Sequence, residues 1–401
     1  MVESINTTSS PSCIKLIGKN NRIFDFSRFP RRRIALMFLY FGWEYNGLVE
    51  QREITGTVEE KMKEALIKTK LIESWESCGW SRCGRTDKGV SAFKQVASLI
   101  VRSTDVDGEG VSWSVTASES SRIKTTEELN FVKMLNGTLP ANIRVIAWAP
   151  VANDFNARHQ CIQRTYTYAF PKANFDYESM QKACTFLIGE HDFRNFCRID
   201  MSKERIRMSY VRTIDYANVS VISNGLLSTS KQNIDPIDGE LLQLTIKASG
   251  FLWHQIRCIM ALLYEIGCGN EQPEIIAELL DINLTPSKPV YGLAPPFPLC
   301  LFDSVYGGVE PLWKYDVDSL KSIKKHILKT WAYYQSLSLI LHNMANGIDV
   351  FAPELQNDFS GLNEYLKPVG TSTKTYIPIR KRPRCDTLEL KQTRLLQKYL
   401  K

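Results

Sequence analysis

Histidine is scarce in this chain, with five among 401 residues. The ten cysteines are scattered from Cys13 to Cys385 and form no C-x-x-C pair; the nearest two, Cys78 and Cys83, have the wrong spacing for a zinc knuckle. No metal site is therefore expected. Long hydrophobic runs are missing as well: stretches such as Ile34–Phe41 fall far short of the roughly 20 residues that a membrane helix needs, so no membrane span is expected. The opening Met1–Ser10 lacks the basic start and apolar centre of a secretory signal, which places the protein on the reducing side of the membrane with its cysteines as thiols. Charge of one sign is also limited. Fifty Lys and Arg against 43 Asp and Glu give a net +7, which permits an anionic partner without demanding one.

What is present suits a folded protein. A composition that is 44% hydrophobic and 23% charged can bury a large core and excludes a disordered, collagen-like or coiled-coil chain. Residues 1–32 read as a polar, flexible arm that runs into the triplet Arg31-Arg32-Arg33, taken as a solvated edge or an anion contact. Residues 34–41 have the length of a strand, and helical spacing of Val58, Met62, Ala65 and Leu66 predicts a helix over 58–70. Strands are expected at 95–102, 143–151, 164–170 and 241–248, and helices at about 127–136, 178–188 and 251–266. The segment 103–127 is rich in Ser, Thr, Asp and Gly and reads as a surface insertion. Tyr166, Tyr168 and Phe170 share one face of their strand, where aromatics are usually core.

Beyond residue 310 a basic amphipathic helix carrying Lys314, Lys321, Lys324, Lys325 and Lys329 is expected, either packed on the body or gripping an anion. Residues 350–375 read as loop. The run Arg380-Lys381-Arg382-Pro383-Arg384 fits a nuclear-import address or a phosphate strap, and localisation to nucleus, cytoplasm or both follows as an expectation.

Chemistry concentrates in Gly84-Arg85-Thr86-Asp87-Lys88-Gly89. Its two glycines have P-loop spacing, but Val90 and Ser91 follow where that motif needs Lys and Ser or Thr, so the nucleotide reading fails. One reading makes Asp87 a turn residue capping a backbone amide. The other sets a carboxylate among cations on a loop, where Arg85, Lys88 and a distant basic partner keep it ionised as a nucleophile or base.

The string Gly84–Ala92 closely resembles the catalytic loop of the TruA family of tRNA pseudouridine synthases. Tyr40–Gly47, Phe155–Arg158 with Arg164–Tyr168, Gly189–Phe196 and Gly250–Arg257 resemble its other motifs in the expected order, so that the likeness covers about residues 33–306. Gly84, the segment Lys68–Ser74 and His191–Asn195 resemble the eukaryotic branch that modifies tRNA positions 38 and 39. Leu48 and Trp253 depart from the usual aromatic and the usual Tyr or His at the rim.

The resemblance implies an α+β fold with a long, mostly antiparallel mixed sheet, in which two similar halves, 33–152 and 153–310, flank a basic cleft, followed by a helical extension over 311–401. It implies tRNA as partner, a homodimer, and isomerisation of uridine without a cofactor. Asp87 is then the catalytic carboxylate, Arg257 its basic partner, Tyr166 the ring that stacks on the target base, and Arg85 the residue that occupies the place of the extruded base. Leu252 packs beside Tyr166, and Lys88, Arg158 and Arg194 are phosphate contacts. His191, His254 and Arg158 also read as structural when taken alone. Competing readings are a tRNA-binding chaperone without activity, a nucleoside hydrolase releasing free uracil, and a synthase for other uridines such as 27 and 28.

Overall fold

The computed structural model describes residues 24–399 except 52, 114–124, 126, 203–204, 206–207, 223–240, 309, 356–357, 359 and 371–374. Most of the expected arm, much of the 103–127 insertion and the last two residues lie outside the described residues. Along the chain come β1 (Arg31–Tyr40), α1 (Val58–Lys68), β2 (Ser81–Arg82), β3 (Ser91–Arg102), β4 (Val111–Ser112), α2 (Phe131–Asn136), β5 (Ile143–Pro150), β6 (Cys161–Pro171) and α3 (Tyr177–Thr185). Then follow β7 (Gly189–Asp192), β8 (Val211–Ile222), β9 (Leu241–Ala248), α4 (Gln255–Gly267), α5 (Ile275–Leu280), β10 (Leu299–Tyr306), β11 (Lys314–Tyr315), α6 (Val317–Asp349), α7 (Ser360–Glu364) and α8 (Leu388–Tyr399).

One large mixed sheet organises the fold, in the order β11-β5-β1-β3-β10-β6-β9-β8-β7, with β2 on β3 and β4 on β1. Among the described residues every strand pairing is antiparallel except β3 with β10, which run parallel through just Ser91 with Cys300 and Ala92 with Leu301. That short parallel pairing is the seam of the sheet, and Asp87 lies four residues before it.

Period-two alternation explains how both faces are covered. Leu36, Phe38 and Tyr40 of β1 join the main core with Tyr166, Tyr168 and Phe170 of β6 and the apolar sides of α1 to α5. Their neighbours Met37 and Leu39 point to the other face, where Ile323 of α6 closes a smaller cluster with Ile146 and Ala147. Helix starts are set by side-chain caps. Thr57 and Glu60 form a reciprocal capping box on α1, Asn130 caps α2, Asp176 caps α3 and Asp316 caps α6.

Several boundaries differ from the sequence expectations. β1 starts at Arg31, so the basic triplet belongs to a strand. Arg32 is neither a solvated edge nor an anion contact: it is buried and bonded to Asp105 and Glu128, each at 3.0 Å, which ties both ends of the insertion to the sheet. Lys314 lies on β11, which pairs with β5, and not on the basic helix. The 350–375 stretch contains α7.

The helix expected from Phe251 begins only at Gln255, because His254 adopts a left-handed backbone with φ 63° that cannot continue an α-helix. The run at 380–384 folds onto the body. Arg380 pairs with Glu278 and Arg382 with Glu265, while Ile379 is fully buried, so these two cations are engaged internally. No helix of the described residues is long and apolar enough to cross a membrane.

Candidate active site

The Asp87 loop is clamped from three directions. Thr86 Oγ1 and the Tyr40 hydroxyl lie 2.7 Å apart in a buried hydrogen bond, and the Thr86 carbonyl accepts from the Leu48 amide at 3.2 Å. Gln95, fully buried on β3, donates to the Gly84 carbonyl at 3.0 Å. The Gly89 amide donates to the Tyr45 carbonyl at 3.2 Å, and Gly89 takes φ +82°, a turn conformation that suits glycine. At Gly42 a Cβ would meet the Val90 carbonyl oxygen at 2.0 Å, so only glycine lets the opening turn lie against the loop. The expected cap is not made: among the described residues the Asp87 carboxylate accepts from no backbone amide, and the turn is closed instead by the Val90 amide donating to the Asp87 carbonyl at 3.1 Å, which leaves the carboxylate free for other work.

Arg164 joins the motifs. Its guanidinium is buried and donates to the carbonyls of Cys83 (2.8 Å), Arg158 (3.0 Å), Cys161 (3.3 Å) and Ser249. One side chain thus fastens the stem of the Asp87 loop, the Phe155–Arg158 turn and the approach to the Gly250 motif on β6. Sequence spacing carries no signal for this, because the acceptors are backbone atoms brought together by folding.

Asp87 is partly exposed, and two cationic or potentially cationic groups face the same carboxylate oxygen. His254 Nε2 stands 3.4 Å and Arg257 Nη1 3.7 Å from Oδ2. Arg257 is the expected partner and is itself oriented by a 2.8 Å bond from Nε to the Ala294 carbonyl. His254 was read as structural, and its place beside Asp87 is new information. Burial depresses the imidazole pKa, outweighing the attraction of Asp87, and Arg257, Arg198 and Lys288 push in the same direction as burial.

Tyr166 is buried, and burial raises its phenol pKa far above the ordinary range. Its aromatic contact is Phe251, in a T-shaped arrangement at 5.3 Å, the residue before Leu252, which is itself buried. Arg85, Lys88 and Arg158 are exposed. No side-chain acceptor meets Arg85 or Arg158 among the described residues, and each is disfavoured as a cation first by partial burial and then by neighbouring guanidiniums, Arg82 and Arg205 around Arg85, and Arg205, Arg85, Arg164 and Arg82 around Arg158. Arg82 and Arg205 are themselves paired with Glu59 and Asp200, so Arg85 and Arg158 are the open guanidiniums of the group, and these favour an incoming anion.

Arg194 is different. Nε and Nη2 bind Asp192 Oδ2 at 3.0 and 2.8 Å, and Nη1 binds Glu389 of α8 at 2.7 Å, so the expected phosphate contact is replaced by an internal bond to the extension. His191 Nε2 lies 3.0 Å from the Ile188 carbonyl, away from Asp87. Among the described residues no group of three His, Cys, Asp or Glu side chains is placed to hold a metal ion.

The arrangement sets a carboxylate against a histidine and an arginine, with Arg85 and Arg158 open to an incoming anion. Comparison with known proteins agrees with that chemistry. The family described as tRNA pseudouridine synthase matches residues 183–307. A Caenorhabditis elegans protein named "Probable tRNA pseudouridine synthase tag-124" is 45% identical over 95% of this chain and 94% of its own length. The human "tRNA pseudouridine(38/39) synthase" is 39% identical over 93% of this chain and 78% of its own, and the Saccharomyces cerevisiae protein of the same name 41% identical over 75% and 63%. With near-complete coverage at this identity, the chain belongs to the tRNA pseudouridine synthase family.

Proposed function

We propose that this protein is an isomerase that converts uridine to pseudouridine at positions 38 and 39 of the tRNA anticodon stem-loop. The observation that carries the reading is Asp87, held on a clamped loop with Arg257 and His254 on one oxygen, beside the buried ring of Tyr166. Positions 38 and 39 are those in the names of the human and yeast relatives.

The reaction breaks the bond from ribose C1′ to uracil N1, turns the base and joins C1′ to C5, while the C5 proton is lost and N1 gains one. Nothing is oxidised or reduced. A charged carboxylate at C1′ either attacks that carbon or removes the C2′ proton, and both routes remain open for Asp87. Arg257 supports the charged form. A stacked uracil must first leave the helix at a cost of about a few kcal/mol. In this reading Tyr166 receives its face and Arg85 takes the vacated place, with Leu252 packing alongside and Arg158 and Lys88 meeting phosphates.

Two similar half-sheets meeting at the β3 and β10 seam form the floor of a basic cleft in this proposal, with α6 to α8 as a helical extension. A homodimer, and residence in nucleus, cytoplasm or both, complete the proposal by resemblance to the family.

The test is a set of unmodified tRNA transcripts in which uridine 38 or 39 is replaced singly by cytidine. Pseudouridine should disappear only at the replaced position. Product at 27 or 28 would move the target, release of free uracil would indicate hydrolysis, and tight binding without product would leave a chaperone.

A further inference from the structure

We propose that His254 is a positioning residue for this reaction: together with Arg257 it grips Oδ2 of Asp87 and so presents Oδ1 to the ribose. The inference rests on the synthase reading above and deepens it. Three observations carry it.

The first is the shared oxygen. His254 Nε2 at 3.4 Å and Arg257 Nη1 at 3.7 Å both have Oδ2 as their nearest contact on Asp87, and among the described residues no hydrogen bond reaches Oδ1. A carboxylate held by one oxygen is fixed in rotation with the other left reactive. Both distances are longer than a formed hydrogen bond, as catalytic contacts commonly are until the reacting complex assembles.

The second is the backbone. His254 takes φ 63° and ψ 10°, a left-handed conformation that costs a histidine about 1–2 kcal/mol and that glycine would adopt freely. The cost is tolerable if the ring at that point does something glycine cannot. Trp253 braces it, ring centroid to ring centroid at 5.0 Å, and the Arg198 guanidinium lies 4.5 Å from the Trp253 ring centroid.

The third is the other ring nitrogen. His254 Nδ1 is buried without a hydrogen-bond partner. A histidine serving only the packing of its surroundings normally has its buried nitrogens satisfied, and an orphan of this kind marks a group held for another purpose. With Nδ1 unprotonated the neutral ring carries its hydrogen on Nε2, the atom facing Asp87. Beyond the ring lies a cavity of about 710 Å³. The charged groups around the imidazole are Asp87 on the loop, Arg257 on α4, Arg198 and Lys288, and, lining the same cavity, Arg194, Asp386, Lys391 and Arg394, of which Arg394 pairs with Asp386.

The experiment compares wild type with His254→Gln, His254→Asn and His254→Leu, measuring kcat and KM for pseudouridine formation, the pH profile of kcat, and thermal unfolding. A glutamine amide can place a donor near the Nε2 position, whereas the shorter asparagine amide falls near Nδ1. We expect Asn and Leu to lower kcat by about 10²-fold, the size of effect that a misplaced reacting group produces, with KM hardly changed. Gln should recover most of that loss. The Gln variant lacks the imidazole titration, so a limb of the wild-type pH profile of kcat that follows the imidazole should be absent from it, whereas an unchanged profile would show that the ring does not act on Asp87.

Equal activity of Gln, Asn and Leu overturns the inference, as does activity that merely follows thermal stability or a change confined to KM. A wild-type protein that makes no pseudouridine overturns the synthase reading, and this inference with it. The two failures are thereby distinguished.

Discussion

Two sets of arginines in this protein look alike in sequence and behave oppositely in the fold. Arg85 and Arg158, at the rim around Asp87, face one another and their guanidinium neighbours without a side-chain acceptor among the described residues. Arg194, Arg380 and Arg382 each close on a carboxylate, from Asp192 and Glu389, Glu278 and Glu265. Basic density therefore does not locate a nucleic-acid surface by itself. What counts is whether folding has already supplied the counter-ion, since a satisfied guanidinium must break one bond to make another.

The largest test of this contrast is on the paired side. Arg382 and Glu265 are both buried, with side chains 8% and 9% exposed, and removing one partner from such a pair costs about 3–5 kcal/mol. Arg382→Met should lower the denaturation midpoint markedly while leaving the salt dependence of tRNA binding, measured by filter binding, unchanged. A flatter salt response in that variant would show that the strap touches RNA after all.

Arg257 is an intermediate case, a guanidinium beside the carboxylate proposed to react. Arg257→Met should reduce kcat by about 10²-fold with a smaller change in affinity, as loss of one preorganised electrostatic contact does. An unchanged kcat would remove Arg257 from the site. The smallest effects are expected at the rim. Arg85→Gln and Arg158→Gln should each lower the slope of log affinity against log salt by about one, whereas Arg380→Gln, breaking an exposed pair, should leave the slope alone and change stability by at most about 1 kcal/mol. Equal slopes for all three variants would erase the distinction between the two sets.

The regular elements were legible where hydrophobic period was undisturbed. The apolar run of β1, the alternation along β6 and β9 and the spacing of Val58, Met62, Ala65 and Leu66 on α1 translate directly into faces that pack. Legibility failed where one residue broke the period. The left-handed His254 hides the true start of α4, since an apolar stretch from Phe251 to Ile266 has no mark of the turn inside it.

At the site, Asp87 and its loop were legible because the loop string resembles a known motif. His254 stood in the last of the quoted motifs, but the nearness of its ring to Asp87 depends on the packing of α4 against the loop, and spacing along the chain does not express that. Arg164 was invisible for a related reason: its acceptors are four backbone carbonyls at remote positions. Arg194 misled for the converse reason, because Glu389 lies 195 residues away in sequence.

The central claim is that Asp87 performs the chemistry. Its most direct test incubates wild type and Asp87→Ala with unmodified tRNA transcripts, without added metal or nucleotide, and maps pseudouridine position by position alongside binding. Wild type should form product at 38 and 39, and Asp87→Ala should form none while binding tRNA almost as tightly. Normal product from Asp87→Ala would contradict the account.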